Sequence, residues 1–242
     1  MTQLTGHTQV AGQPLFSSSA TQHHVLGEEM VTPDGRHFRY AKAGGSALVV
    51  GNVLQGPAQT TDTQSLVVAA AAIGATTVTT TDTTTVTANE FAGGYLFATG
   101  EAGTGRGEVY RIKSHPAATT AVVTFTLEDP IRVAFSSSTQ IDVVHNPYLG
   151  VIQNPATESG TPIGVASYPI AADQYGWIQT KGIASVLANG ALTVGLTVVA
   201  GGSTAGAVQD IADGAAELLQ QVGWAATGVA TTENGAVYLN LP

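Results

Sequence analysis

The feature that most constrains this chain is the alternation of apolar and small polar residues in short runs. Leu192, Val194, Leu196 and Val198 alternate with Thr193, Gly195 and Thr197 directly after Asn189-Gly190, and Val237, Leu239 and Leu241 alternate after Asn234-Gly235. A period of two puts one set of side chains on each face of a pleated strand, and Asn-Gly is the favoured pair of a tight hairpin turn. Val123, Phe125 and Leu127 alternate with Thr124 and Thr126 in the same way, and Tyr95 to Phe97 and Val109 to Ile112 are similar. Only Asp210 to Val222 carries apolar residues at helical spacing, with Asp213 and Gly214 weakening its start. The expected class is all-β, with at most one short helix.

Composition agrees and narrows the function classes. At 242 residues, 43% hydrophobic and 10% charged, the chain can bury a core and is neither disordered nor a coiled coil. It has no cysteine, which removes disulfides, thiolate nucleophiles and cysteine-based zinc sites. Seventeen acidic residues against eight Lys and Arg give a net charge of −9, which repels a phosphate backbone, so nucleic acid is not an expected partner. Six of the eight cations precede residue 114, leaving Arg132 and Lys181 in a markedly acidic remainder. A basic patch against an acidic neighbour fits that asymmetry. The longest apolar stretch, Leu66 to Ala75, covers ten residues where a bilayer span needs about 20, and MTQLTGHTQV does not read as a secretory signal. No membrane is expected, and synthesis in a cytoplasm fits.

Residues 1–30 are polar and follow neither hydrophobic period, so they read as an extended N-terminal arm. Two β units follow, barrel- or sandwich-like, over 31–148 and 149–242. Pro33-Asp34-Gly35 and Gly44-Gly45 are turn signals around the strand-like His37 to Ala41 and before Ala47 to Val50. Nine of the twelve residues from 76 to 87 are threonine, a stiff, strand-favouring residue, and Val78 and Val86 flank Asp82 as two short strands around a turn. Glu128-Asp129-Pro130 and Asn146-Pro147-Tyr148 break the pattern and end this block. The strands near 35–55 have a second choice of partner: if they pair with the C-terminal unit, 60–148 becomes an insertion.

The candidate chemistry is sparse. His23-His24 is the one cluster suggesting a metal, but adjacent histidines diverge on an extended chain and no ligand spacing accompanies them. Gly103-Thr104-Gly105-Arg106-Gly107 lacks the Gly-Lys-Ser/Thr ending and the helix of a phosphate loop, which leaves a hairpin loop. Around Ser203 the flanking places hold Gly201 and Ala205, so the nucleophile-elbow pattern fails. Glu28-Glu29 and Glu128-Asp129 are the adjacent acidic pairs, and neither has the context of a glycosidase dyad. Trp177 and Trp224 each sit beside a glycine in a strand-like context, where core or inter-subunit packing is expected. No catalytic, cofactor-binding or metal-binding residue is assigned, no cofactor is expected, and the chain is not expected to be an enzyme.

Several phrases read together carry a resemblance: Asp34-Gly35-Arg36-His37-Phe38-Arg39-Tyr40, Asn89-Glu90-Phe91-Ala92-Gly93-Gly94-Tyr95-Leu96, His145-Asn146-Pro147-Tyr148 and Tyr175-Gly176-Trp177-Ile178-Gln179-Thr180-Lys181-Gly182. Over roughly 30–242 the chain resembles the virion structural proteins of tailed bacteriophages, and within them the capsid decoration (cement, head-stabilisation) proteins. That resemblance implies a β-rich homotrimer on the capsid exterior, bound to the major capsid protein and stabilising the shell without catalysis. A head-fibre or tail structural protein is the alternative, with a glycan-binding adhesin or carbohydrate-active enzyme behind it.

Overall fold

The computed structural model describes residues 12–59, 61–100, 102–157, 159–211 and 219–242. Strands run in chain order as β1 (Glu29–Val31), β2 (His37–Ala43) and β3 (Val53–Gln55), then β4 (Leu66–Val67), β5 (Thr77–Thr79), β6 (Thr84–Val86), β7 (Tyr95–Ala98), β8 (Val109–Ser114), β9 (Ala118–Ala121), β10 (Thr124–Leu127) and β11 (Gln140–Val144). The remainder are β12 (Leu149–Gln153), β13 (Pro162–Ala166), β14 (Tyr175–Leu187), β15 (Thr197–Ala200), β16 (Val208–Asp210), β17 (Gln221–Ala225) and β18 (Asn234–Asn240). The protein is all-β; among the described residues a single 3₁₀ turn, Thr61–Thr63, is the only helical element.

The chain divides into two units, residues 1–58 with 147–242 and residues 59–146. Strands β2 and β3 hydrogen-bond to β12, β13 and β14, so 31–148 is not one contiguous unit and the middle segment is inserted into the other. The reason is where the apolar faces match: Ala41, Ala43 and Leu54 share one buried cluster with Val151, Ile163 and Ile178, far along the chain.

In the first unit, β2, β12, β3, β13 and β14 pair in a ring, because β14 returns to β2. Closure leaves no free edge among these strands. A five-stranded ring is narrow, and small residues line it: Ala41 and Gly176 are register partners, and a Cβ on Gly164 would come within 2.9 Å of Ile178. The large aromatic residues of β2 and β14 point outwards, while Ile178 fills the interior. Trp177 pairs with Tyr40 across the strands, and with Phe38 they form a separate aromatic cluster. The second half of β14 continues into a C-terminal sheet, in the order β14-β18-β17-β15-β16, over a core of Val186, Val198, Val222 and Val237.

Residues 12–28 are not a free arm. They cover the outer aromatic cluster, with Leu15 and Leu26 packed on it. Gln13 is the anchor: its side-chain amide donates to the carbonyls of Ser17 (3.0 Å) and Tyr175 (2.9 Å), its side-chain oxygen accepts from the Tyr40 hydroxyl (2.6 Å), and its backbone carbonyl accepts from Trp177 Nε1 (3.1 Å). An isolated bridge between Ser19 and Tyr175 adds a backbone contact. The aromatic surface compensates the ordering cost that a polar segment cannot meet alone. Residues 1–11 of the expected arm lie outside the described residues.

In the second unit, six antiparallel strands run β4-β11-β7-β8-β10-β5 beside a two-stranded β6-β9 ribbon. A bridge between Val68 and Thr80 joins the two ends of the sheet, curling it round Leu96, Ile112, Phe125 and Ile141. The threonine run does form two strands around a bend, but β5 pairs with β10 and β6 with β9 rather than with each other.

Four local expectations shift. Residues 47–50 make one bridge, Leu48 to Ile170, instead of a strand. The strand read over 192–198 begins only at Thr197, because Gly195 (φ 83°) turns the chain first. Asn234-Gly235 opens β18 rather than turning; the left-handed residue is Thr232 (φ 69°), and Gly235 is small because Val229 lies against it. The helix read over 210–222 falls largely on 212–218, outside the described residues, while Asp210 closes β16 and Gln221 opens β17.

Replacing Gln13 with Ala leaves the buried Tyr40 hydroxyl without the acceptor for its proton and removes one of the two donors to the Tyr175 carbonyl, which keeps the Ser19 N–H, and should cost about 1–3 kcal/mol. Ser17→Ala, which loses one exposed bond to Pro14, should change stability by no more than about 0.5 kcal/mol. Urea unfolding followed by Trp177 fluorescence checks both.

Candidate interaction surfaces and buried polar groups

The pleat decides which side chains face outwards. On the C-terminal sheet the inward positions of β18 are Val237 and Leu239, so Tyr238 between them is 53% exposed. Its cross-strand partners are Ile183 on β14, 46% exposed, and Trp224 on β17, 41% exposed. Three large apolar side chains thus stand in a row across three adjacent strands. Gly223 makes the alignment possible: a Cβ there would overlap the Tyr238 carbonyl oxygen, and the register shifts beside it between Val198 and Val199. A bulge of this kind re-aims the side chain that follows it.

In the second unit, the outer face of β7 and β8 carries Tyr95 opposite Arg111 and Phe97 opposite Val109. Val109, Arg111 and Lys113 occupy the exposed positions of β8, while Tyr110 and Ile112 are buried. Arg36, Arg39 and Arg132 are ion-paired to Asp34, Glu29 and Glu108. Arg111 and Lys113 make no ion pair among the described residues.

The sequence candidates disperse. His24 is buried, accepts from the Gln13 backbone N–H (3.2 Å), lies 3.4 Å from Glu28 and packs on Tyr40 and Trp177. His23 points away to the Ser19 hydroxyl. Glu28 and Glu29 part likewise, Glu29 meeting His37 at 2.6 Å. That hydrogen bond is the main reason the Glu29 carboxyl is held below its ordinary value. Residues 103–107 lie in the β7–β8 hairpin loop, and Ser203 sits in the β15–β16 loop donating to Asn189. Glu128 and Asp129 are exposed on the surface. Trp177 is core, as the glycine context suggested, but Trp224 faces outwards. Among the described residues no three His, Asp or Glu side chains gather as metal ligands, and no helix is long and apolar enough to cross a membrane.

No family model, curated protein or solved structure matches this chain.

Two buried groups bear on stability. His115 accepts the Phe91 backbone N–H at Nε2 (3.0 Å), while its Nδ1 faces the Pro116 carbonyl (2.9 Å), so the ring is held as the neutral tautomer with the proton on Nδ1. His145 stacks on Phe91 with ring centroids 4.3 Å apart, its Nε2 3.4 Å from Glu90 and its Nδ1 buried without a partner. Burial pushes both histidines below their ordinary 6.5, against the opposing pull of Glu90. Neither the Gln13 anchor nor this pair had a sequence signal. Tyr238 did, since alternation at Val237, Leu239 and Leu241 places it outwards.

Because the folded state lowers both pKa values, the unfolded chain binds protons more readily. The stabilising effect is full above about pH 6.5 and is lost as the pH falls from there through the folded-state values. Amide exchange at Phe91, corrected for its intrinsic rate, should lose protection as the pH drops from 7.5 to 5, and a His115→Gln variant should show a shallower dependence.

Proposed function

We propose that this protein is a structural protein of a tailed-phage virion, a capsid decoration protein that binds the outer surface of the major capsid protein shell and stabilises it without catalysis. The observation that carries this reading is the outer face of β7 and β8. In a chain of net charge −9, Arg111 and Lys113 stand without an ion-pair partner among the described residues, beside exposed Tyr95 and Val109. Aromatic and cationic residues together are the composition of protein-binding patches, and uncompensated cations select an acidic partner surface. The curled sheet holds their backbone in fixed register, so docking has side chains to order but no backbone.

Several copies bound to neighbouring capsomers act at high effective concentration, and weak single contacts then become a clamp against internal pressure. This supports a role at the capsid exterior, with the shell protein and other copies of the chain as partners.

The test is co-sedimentation with undecorated, expanded capsids. Saturable binding at a fixed copy number per capsomer is expected, and reversing both charges (Arg111→Glu with Lys113→Glu) should weaken it by about tenfold or more at moderate salt. Wild-type protein left in the supernatant would overturn the reading in favour of a fibre, tail or glycan-binding role.

A further inference from the structure

We infer that the Ile183–Tyr238–Trp224 row of the C-terminal sheet is covered by a second copy of this chain, row against row. The inference goes beyond shell binding, does not depend on it, and puts an even-numbered assembly in place of the homotrimer that the resemblance implies.

The first ground is composition. An exposed Trp, Tyr and Ile in direct cross-strand succession match the buried centre of a protein interface, and Trp and Tyr are the residues that most often carry its binding energy. The Gly223 bulge shows that the placement is built: a residue with no side chain is required there for Trp224 to stand beside Tyr238 on the outer face.

The second ground is charge, which makes the face compatible with a second copy. The four adjacent strands β14, β15, β17 and β18 contain no Asp or Glu, in a chain with 17 of them, and Lys181 is their single charged residue. Two identical copies each carrying −9 repel wherever carboxylates face carboxylates. On these four strands two copies can close without facing carboxylates.

The row is also complementary to itself. It has a tyrosine at its centre and a large apolar side chain at each end, so a two-fold axis at Tyr238 lays Trp224 of one copy on Ile183 of the other and brings the two tyrosines together. A two-fold contact uses the same patch twice, and this patch meets that requirement.

The natural absence of cysteine makes the test clean. Light scattering on the full chain should give an even multiple of 24.5 kDa, and the double variant Trp224→Ser with Tyr238→Ser should halve that mass while its circular dichroism stays unchanged. On dilution through dissociation, wild-type emission should shift to the red, since Trp224 is the exposed one of the two tryptophans. In a second measurement independent of that variant, Tyr238→Cys should oxidise to a disulfide-linked dimer. Ile73→Cys, at a 69% exposed site in the other unit, should stay uncrosslinked. A wild-type mass of one or three chains, or a double variant that keeps the wild-type mass, overturns the proposal. If the wild type is a single chain and the double variant fails to co-sediment with capsids, the row belongs to the shell. Loss of capsid binding with the even-numbered mass intact would sink the shell reading alone.

Discussion

Strand β14 is the constraint on which the first unit depends. Its thirteen residues serve two sheets: Tyr175 to Lys181 pair with β2, Ile178 and Gln179 also pair with β13, and Lys181 to Leu187 pair with β18. The barrel closes only because the first half has partners on both sides. The change of partner falls at Gly182, whose φ of 83° is in the left-handed region and whose missing side chain leaves room for Arg36 against it. A β-carbon there would set strain and crowding at the one point where both sheets are joined.

Closing a five-stranded ring also decides where the aromatic residues go. The interior has room for Ala41, Ala43 and Gly176, and the large rings of Phe38, Tyr40 and Trp177 must lie outside, where bare they would form an exposed apolar patch. The polar segment 12–28 solves that problem. Its stability and that of the barrel are one quantity, because Gln13 satisfies the polar atoms of the rings that its own segment covers.

The outer surfaces follow from the same geometry. Once alternate residues of β8 and β18 are committed to cores, the residues between them are committed to solvent, and on these strands they include Val109, Arg111, Lys113 and Tyr238. Rigid strands hold such groups at fixed spacing. The threonine-rich strands serve the frame: Val78 and Phe125 are buried, while Thr79 and Thr124 hydrogen-bond across the pair at 2.9 Å.

By itself the sequence determined the class and most strands of this protein, because period-two alternation and the scarcity of charge act locally. It also determined that Tyr238 faces out, since parity alone places it opposite Val237 and Leu239. Only the tertiary structure decided that β2 and β3 pair past an 88-residue unit rather than into it, that Trp177 is core while Trp224 is not, and that residues 12–28 are a cover. Both tryptophans follow a glycine on a strand. What separates them is which face of the sheet receives a second layer, and that depends on segments distant in the chain meeting in space, which no local pattern encodes.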